Sequence, residues 1–273
     1  MTTSTDGWWG DYEVAANQTL RWQLGPKTLW ITRHDQEWRV TSAGGRDVLD
    51  NRLAIAEPAE EPAGDDDDID VRRFASRSGT RSIRLEPALP DLPVVVRTTQ
   101  PFFVPAMEET TLFLSAPLWL RVYLDGREVA LVDTPLARPS DTWFGPDTMT
   151  GELCYALRTS ARLHLEHLPR RPHRAISAVR IQNNASSVLH IEKLKVPVPH
   201  LSLFVSNEGH LWTEALTLER EEDSGGTKVR LDDRPTQIVA TERIARPRKK
   251  ISKGFLLDAF GEFFVRKGKK DNE

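Results

Sequence analysis

Three histidines, His164, His167 and His173, crowd one short region, and imidazole is among the commonest zinc ligands. Leu157 to Leu165 alternates as a strand, so His164 and His167, three apart, point to opposite faces and cannot share an ion. Cys154 lies a strand away, and neither Cys-x-x-Cys nor His-Glu-x-x-His spacing occurs, so no metal and no cofactor is expected. Asp66, Asp68 and Asp70 have the spacing of the first three ligands of an EF-hand loop. Its sixth position is Val71 instead of glycine and its twelfth Arg77 instead of glutamate, so the proline- and acid-rich run from Glu57 to Asp70 reads as a solvated loop. Glycine-rich phosphate loops and the Gly-x-Ser-x-Gly elbow are absent, and no pair of carboxylates is singled out by spacing. The expectation is a binding or accessory module without catalytic residues.

Two other groups could do chemistry by binding. Trp8, Trp9, Trp22, Trp30 and Trp38 fall in the first forty residues, where aromatic strand faces could stack on a sugar or fill a core. The second group is the C-terminal segment. From Arg243 to Lys270, ten Lys/Arg face two acids, a net of +8 that leaves −11 on the rest of a chain whose total is −3. After Pro247 the spacing predicts an amphipathic helix over 252–266, with Ser252 as N-cap and Gly268 as stop. Phe255, Leu256, Leu257, Ala259, Phe260, Phe263 and Phe264 fill an apolar arc of about 200°. Arg248, Lys249, Lys250, Lys253, Arg266 and Lys267 flank it, and Asp258 and Glu262 sit opposite. Such a helix could cover its own sheet, lie on an anionic membrane surface, or dock on a partner or a second copy. Nucleic acid is not expected there, because the lysines flank the aromatics instead of interleaving with them.

The elements that must position these groups read as strands. Leu20 to Leu24, Thr28 to Thr32 and Glu37 to Thr41 form a meander broken at Gly25-Pro26 and at His34-Asp35-Gln36. Leu118 to Val132 is centred on Asp125-Gly126, and a two-residue loop there would pair Leu124 with Arg127, Val122 with Val129 and Leu120 with Leu131. Asn183 to Ser187 and Asn207 to Gly209 mark two further hairpins, and Gln237 to Ala240 reads as a last strand. The fold class is all-β: antiparallel sandwich or jelly-roll-like sheets built from hairpins, plus the short C-terminal helix. The body spans 1–242, as one unit or as halves near 1–135 and 136–242, and the tail spans 243–273. One cysteine precludes an internal disulfide. No leader pattern opens the sequence and no run approaches the roughly 18 apolar residues of a membrane span, so the expected location is cytoplasmic, with peripheral contact at the inner membrane.

Trp8-Trp9-Gly10-Asp11-Tyr12-Glu13, and Trp143-Phe144-Gly145 followed by Gly151-Glu152-Leu153-Cys154-Tyr155, resemble an uncharacterised prokaryotic family of about this length, a domain of unknown function. The resemblance covers most of residues 8 to 240, implies no active residues and leaves the tail unexplained. The function expected from the residues is docking to a partner protein or the inner membrane surface through the basic tail. A carbohydrate-binding or carbohydrate-active jelly roll, using the early tryptophans, is the alternative.

Overall fold

The computed structural model describes residues 7–45, 47–63, 69–76, 79–145, 149, 151–160, 162–221, 227–238 and 241–250. The predicted helix over 252–266, with Lys253, Phe255, Leu256, Phe260, Phe263, Phe264, Arg266 and Lys267, lies outside them, as does most of the aspartate run. Short runs of branched and aromatic residues, cut by Gly, Pro and Asn turns, become strands throughout. In chain order these are β1 (Gly10–Glu13), β2 (Gln18–Leu24), β3 (Lys27–Arg33), β4 (Glu37–Gly44), β5 (Leu53–Ala59), β6 (Ile69–Ala75) and β7 (Ser82–Ala88). Next come β8 (Val94–Val104), β9 (Glu108–Pro117), β10 (Trp119–Leu124), β11 (Val132–Pro135), β12 (Asp141–Phe144), β13 (Glu152–Thr159), β14 (Arg174–Asn183) and β15 (Leu189–Val196). The last are β16 (Leu203–Ser206), β17 (Leu211–Thr213), β18 (Leu216–Arg220), β19 (Thr227–Leu231) and β20 (Thr241–Ala245).

The strands form four sheets. One is β1-β7-β10-β11, and a second, β5-β2-β3-β4-β6, contains the predicted meander. A third is β12-β13-β8-β15, in which β13 and β8 run parallel. The fourth is β19-β18-β14-β17-β16-β20, with β9 along the other edge of β14. Most pairings are antiparallel. The third and fourth sheets each combine one strand from before residue 135, β8 and β9, with strands from after it, so sheet boundaries do not coincide with the two sequence halves. One continuous apolar core runs from Trp8 to Ala245. Side chains of the third sheet (Val94, Val96, Leu157) meet those of the fourth (Leu114, Ala116) around a void of about 10 Å³. That is close packing, with no room for a ligand.

Four sequence expectations change. Asp125-Gly126 does turn, with Gly126 at φ 67° and the Arg127 amide donating to the Leu124 carbonyl at 3.1 Å. The return strand, however, begins at Val132, which faces Val122, and Val129 is 78% exposed. The wider loop keeps Arg127 and Glu128 in water and sets Asp133 beside Arg121, 3.1 Å away. Strand β10 is flanked by β7 and β11, so Trp119 and Tyr123 are buried along with Leu118, Leu120, Val122 and Leu124.

The strand expected to continue to Leu165 stops at Thr159, and Leu165–His167 is a single 3₁₀ turn. The His164 and His167 rings therefore meet edge to face, 5.5 Å between centroids, where a strand would have separated them. Pro169 and Pro172 cannot donate to a ladder, which explains the irregular run up to Arg174. Finally, β14 and β15 do not pair as a hairpin. The chain crosses between sheets there, and the Asn183 amide holds the corner by donating to the carbonyls of Val104, Pro105 and Ser187 at 3.1, 2.8 and 2.9 Å. The last strand forms at Thr241–Ala245, a few residues later than expected.

Candidate functional site: a tryptophan and arginine cleft

The Trp8-Trp9 dipeptide enters the body at its N-terminal edge. Trp8 is 1% exposed; its indole donates to the Pro172 carbonyl at 3.1 Å, and its own carbonyl accepts the Tyr12 hydroxyl at 2.9 Å. This ties the entering chain to the proline-bracketed segment Pro169 to Arg174. Trp9 packs edge-on against Trp8, 5.8 Å between centroids, and its ring lies over Gly7, where a Cβ would collide with three ring atoms. Between these indoles and the 169–174 segment opens a cleft of about 280 Å³, closed on its other sides by Leu53, Ile176, His210 and Leu211.

Arg170, Arg171 and Arg174 all line it. Arg170 is the outermost, bonded to Glu208 at 2.8 Å and facing the His210 ring at 3.1 Å. Glu208 is the one carboxylate in the lining, and Arg170 holds it below the usual carboxylate range. His210 is held below the ordinary imidazole value by burial and by Arg170. Deeper in, Arg174 donates to the Ser115 hydroxyl at 2.8 Å and to the Ser115 carbonyl at 2.7 Å. No carboxylate pairs with it among the described residues. Burial, then the neighbouring charge of Arg171, pulls its pKa down to about 10. The Arg171 Nε is buried and has no hydrogen-bond partner among the described residues. Beneath them His173 is fully buried, and burial with the charges of Arg174 and Arg171 pushes it down to about 4, so it is neutral.

A buried guanidinium normally has a carboxylate. Here two adjacent guanidiniums line one pocket: Ser115 answers Arg174, and neither has an ion-pair partner among the described residues. Their fork-like donors suit a bidentate anion, and the aromatic and aliphatic walls strengthen that attraction by excluding water. A second cleft of about 640 Å³ adjoins the first at Trp9, lined by Gly10, Arg84, Glu86 and Arg121 and by Arg243 to Pro247.

The residues singled out in the sequence scatter. Trp8 and Trp9 reach the cleft, Trp22 and Trp38 are core at 0% and 2% exposure, and Trp30 is half-buried on β3. Arg248 is turned inward, paired with Asp133 and donating to the Leu89 carbonyl. The Lys249 main chain bonds Pro199 and His200, at 3.0 and 3.2 Å, while the Lys249 and Lys250 side chains are exposed. Cys154 is fully buried and its thiol pushed up to about 11 by burial, so it is an inert core residue. No trio of His, Cys, Asp or Glu suited to a metal occurs among the described residues, and no described helix is long and apolar enough to cross a membrane. No catalytic or ligand-binding spacing singles out the arginine triplet in the sequence. Its signal was Pro169-Arg170-Arg171-Pro172-His173-Arg174, cations concentrated where prolines forbid regular structure.

No curated protein and no solved structure matches the chain. A family model does, over residues 8–265, and therefore also across much of the tail: the chain belongs to the family described as protein of unknown function (DUF432).

Proposed function

We propose that the protein is a non-catalytic binding module whose ligand is a small anion-bearing molecule held between Trp9 and Arg170, Arg171 and Arg174. The observation that carries this reading is Arg174, a largely desolvated guanidinium beside a second one, held by Ser115 and with no carboxylate partner among the described residues. A sugar-stacking role needs an open indole face, and Trp8, Trp9, Trp22 and Trp38 range from 0% to 9% exposed, which favours the anion. The test is thermal unfolding of the full chain in phosphate, sulfate and acetate against chloride of equal ionic strength, with Arg174→Met alongside. Stabilisation by one of these anions that vanishes in Arg174→Met is expected. No stabilisation by any of them, or an unchanged response in the variant, refutes the reading.

The tail supplies the second part of the proposal. A basic amphipathic helix over 252–266 docks the module on a partner protein or on an anionic membrane surface at the cytoplasmic side. Support comes from the root of the tail: Arg248 and Lys249 are fastened to Asp133, Leu89, Pro199 and His200. Flotation with anionic vesicles is compared for the full chain and a chain ending at Lys250. Equal flotation removes the membrane version.

A further inference from the structure

The cleft beside Trp9 does not end there. Gly7, Trp8 and Trp9 border the first cleft, Trp9 and Gly10 border the second, and Trp9 is the residue the two linings share. In the second cleft Arg121 is held by Asp133 at 3.1 Å, and Arg84 lies over the Tyr123 ring, 4.9 Å from its centroid. Arg243 and Arg246 come from the far end of the chain, on β20 and just after it, and neither makes an ion pair among the described residues. The carboxylate in this lining is Glu86, which burial pushes above its ordinary pKa and which faces Arg121 at 3.9 Å. Both clefts thus carry more guanidinium than carboxylate, and they meet at one aromatic residue.

We propose that the second cleft is a subsite of the same binding site and that the ligand is a linear molecule carrying two or more phosphoryl groups, one on each side of Trp9. This rests on the first cleft being an anion site. A carboxylate brings one charge and two oxygens to a guanidinium pair. A phosphoryl group brings about −1.5 to −2 and three acceptor oxygens, enough to engage Arg171 and Arg174 together. A single anion in the first cleft leaves Arg243 and Arg246 without an ion-pair partner among the described residues, whereas a chain of phosphoryl groups reaches both clefts.

Isothermal titration of the full chain with inorganic phosphate, pyrophosphate, tripolyphosphate and glutarate at constant ionic strength tests this. Tripolyphosphate is expected to bind at least tenfold tighter than phosphate. The double variant Arg243→Ala/Arg246→Ala should lose that advantage while phosphate affinity stays at the parent value. Both side chains are exposed, and circular dichroism checks that the variant is folded. Phosphate binding with no dependence on chain length, an advantage that survives in the double variant, or glutarate binding as tightly as tripolyphosphate would each overturn the subsite while leaving the first cleft standing. Failure of every anion to bind removes both.

Discussion

Replacing Arg174 by methionine separates a structural arginine from one that awaits a ligand. A pKa near 10 in place of 12.5 means that folding disfavours the charged form by about 3 kcal/mol. The sign is that of a base depressed by burial. Below about pH 10 the group is charged in both folded and unfolded chains, so the penalty is present in full at neutral pH and is relieved only as pH rises through the folded value. Methionine keeps an unbranched apolar stem, shorter than the arginine side chain, and removes that penalty. It also gives up the two bonds to Ser115, whose loss costs about 1–3 kcal/mol because Ser115 is only half-buried and can turn to water. The balance is a variant as stable as the parent or up to about 2 kcal/mol more so, at roughly 2–4 °C in Tm for each kcal/mol in a chain of this size. Urea titration without added anion measures it. With phosphate at a hundred times Kd the parent gains about 2.7 kcal/mol and the variant gains nothing. A variant that loses more than about 2 kcal/mol without any anion would refute the reasoning, since Arg174 would then be a net structural prop.

Three further outcomes follow from the same geometry. Gly25 sits at φ +60° with the His173 ring where its Cβ would be and the Asp50 carbonyl 2.9 Å from that position, while Gly126 at φ +67° opens onto empty space. Urea titration should therefore show Gly25→Ala costing more than about 2 kcal/mol and Gly126→Ala about 1, the plain expense of a left-handed residue. His173, depressed from 6.5 to about 4, is neutral when folded, so the unfolded chain takes up the proton first. Stability should be flat above pH 6.5 and fall by about 3 kcal/mol as pH drops toward 4, with His173→Leu flattening that stretch of a stability–pH curve. On the third sheet Arg158, Arg97 and Lys193 face one another in register across β13, β8 and β15, all exposed and none ion-paired among the described residues. Like charges set opposite repel, so Arg97→Thr should raise stability in a urea titration by a few tenths of a kcal/mol, read as ~1 °C in Tm.

What could be read in the sequence was what depends on neighbours along the chain. The meander β2-β3-β4 and the β16–β17 hairpin follow from alternation plus Gly25-Pro26, His34-Asp35-Gln36 and Asn207 to Gly209, since pattern and turn lie within a few residues. The pairing of β13 with β8 in parallel joins Tyr155 to Val94, and no local signal encodes a partner sixty residues away. The Asn183 to Ser187 turn was legible as a turn. Whether its strands pair or part is decided by which core each can bury, and β9 and β8 claimed them separately. The cleft shows the same division. Its Arg170 to Arg174 run stood in plain view between prolines, but what makes it a site is Trp8 and Trp9, some 160 residues earlier, and the exclusion of carboxylates, which only packing reveals.

A structural purpose for Arg174 has to account for Arg171. One arginine on Ser115 can be explained as a clamp between β9 and β14, the donor to a carbonyl and a hydroxyl at their ends. A clamp gains nothing from a second guanidinium close enough to depress its pKa, nor from an Arg171 Nε buried without a partner among the described residues. Selection for stability alone would favour a neutral donor at 174 or an acid nearby, and Asp50 shows that acids are within reach of this region, since its charge acts on His173. Yet Asp50 is held by Arg52 at 2.7 Å, and the cleft lining offers only Glu208, already taken by Arg170. The arrangement keeps carboxylates away from two charges that need one. An anion arriving from solution would satisfy both, and it would relieve at the same moment the mutual repulsion that a purely structural account leaves without a cause.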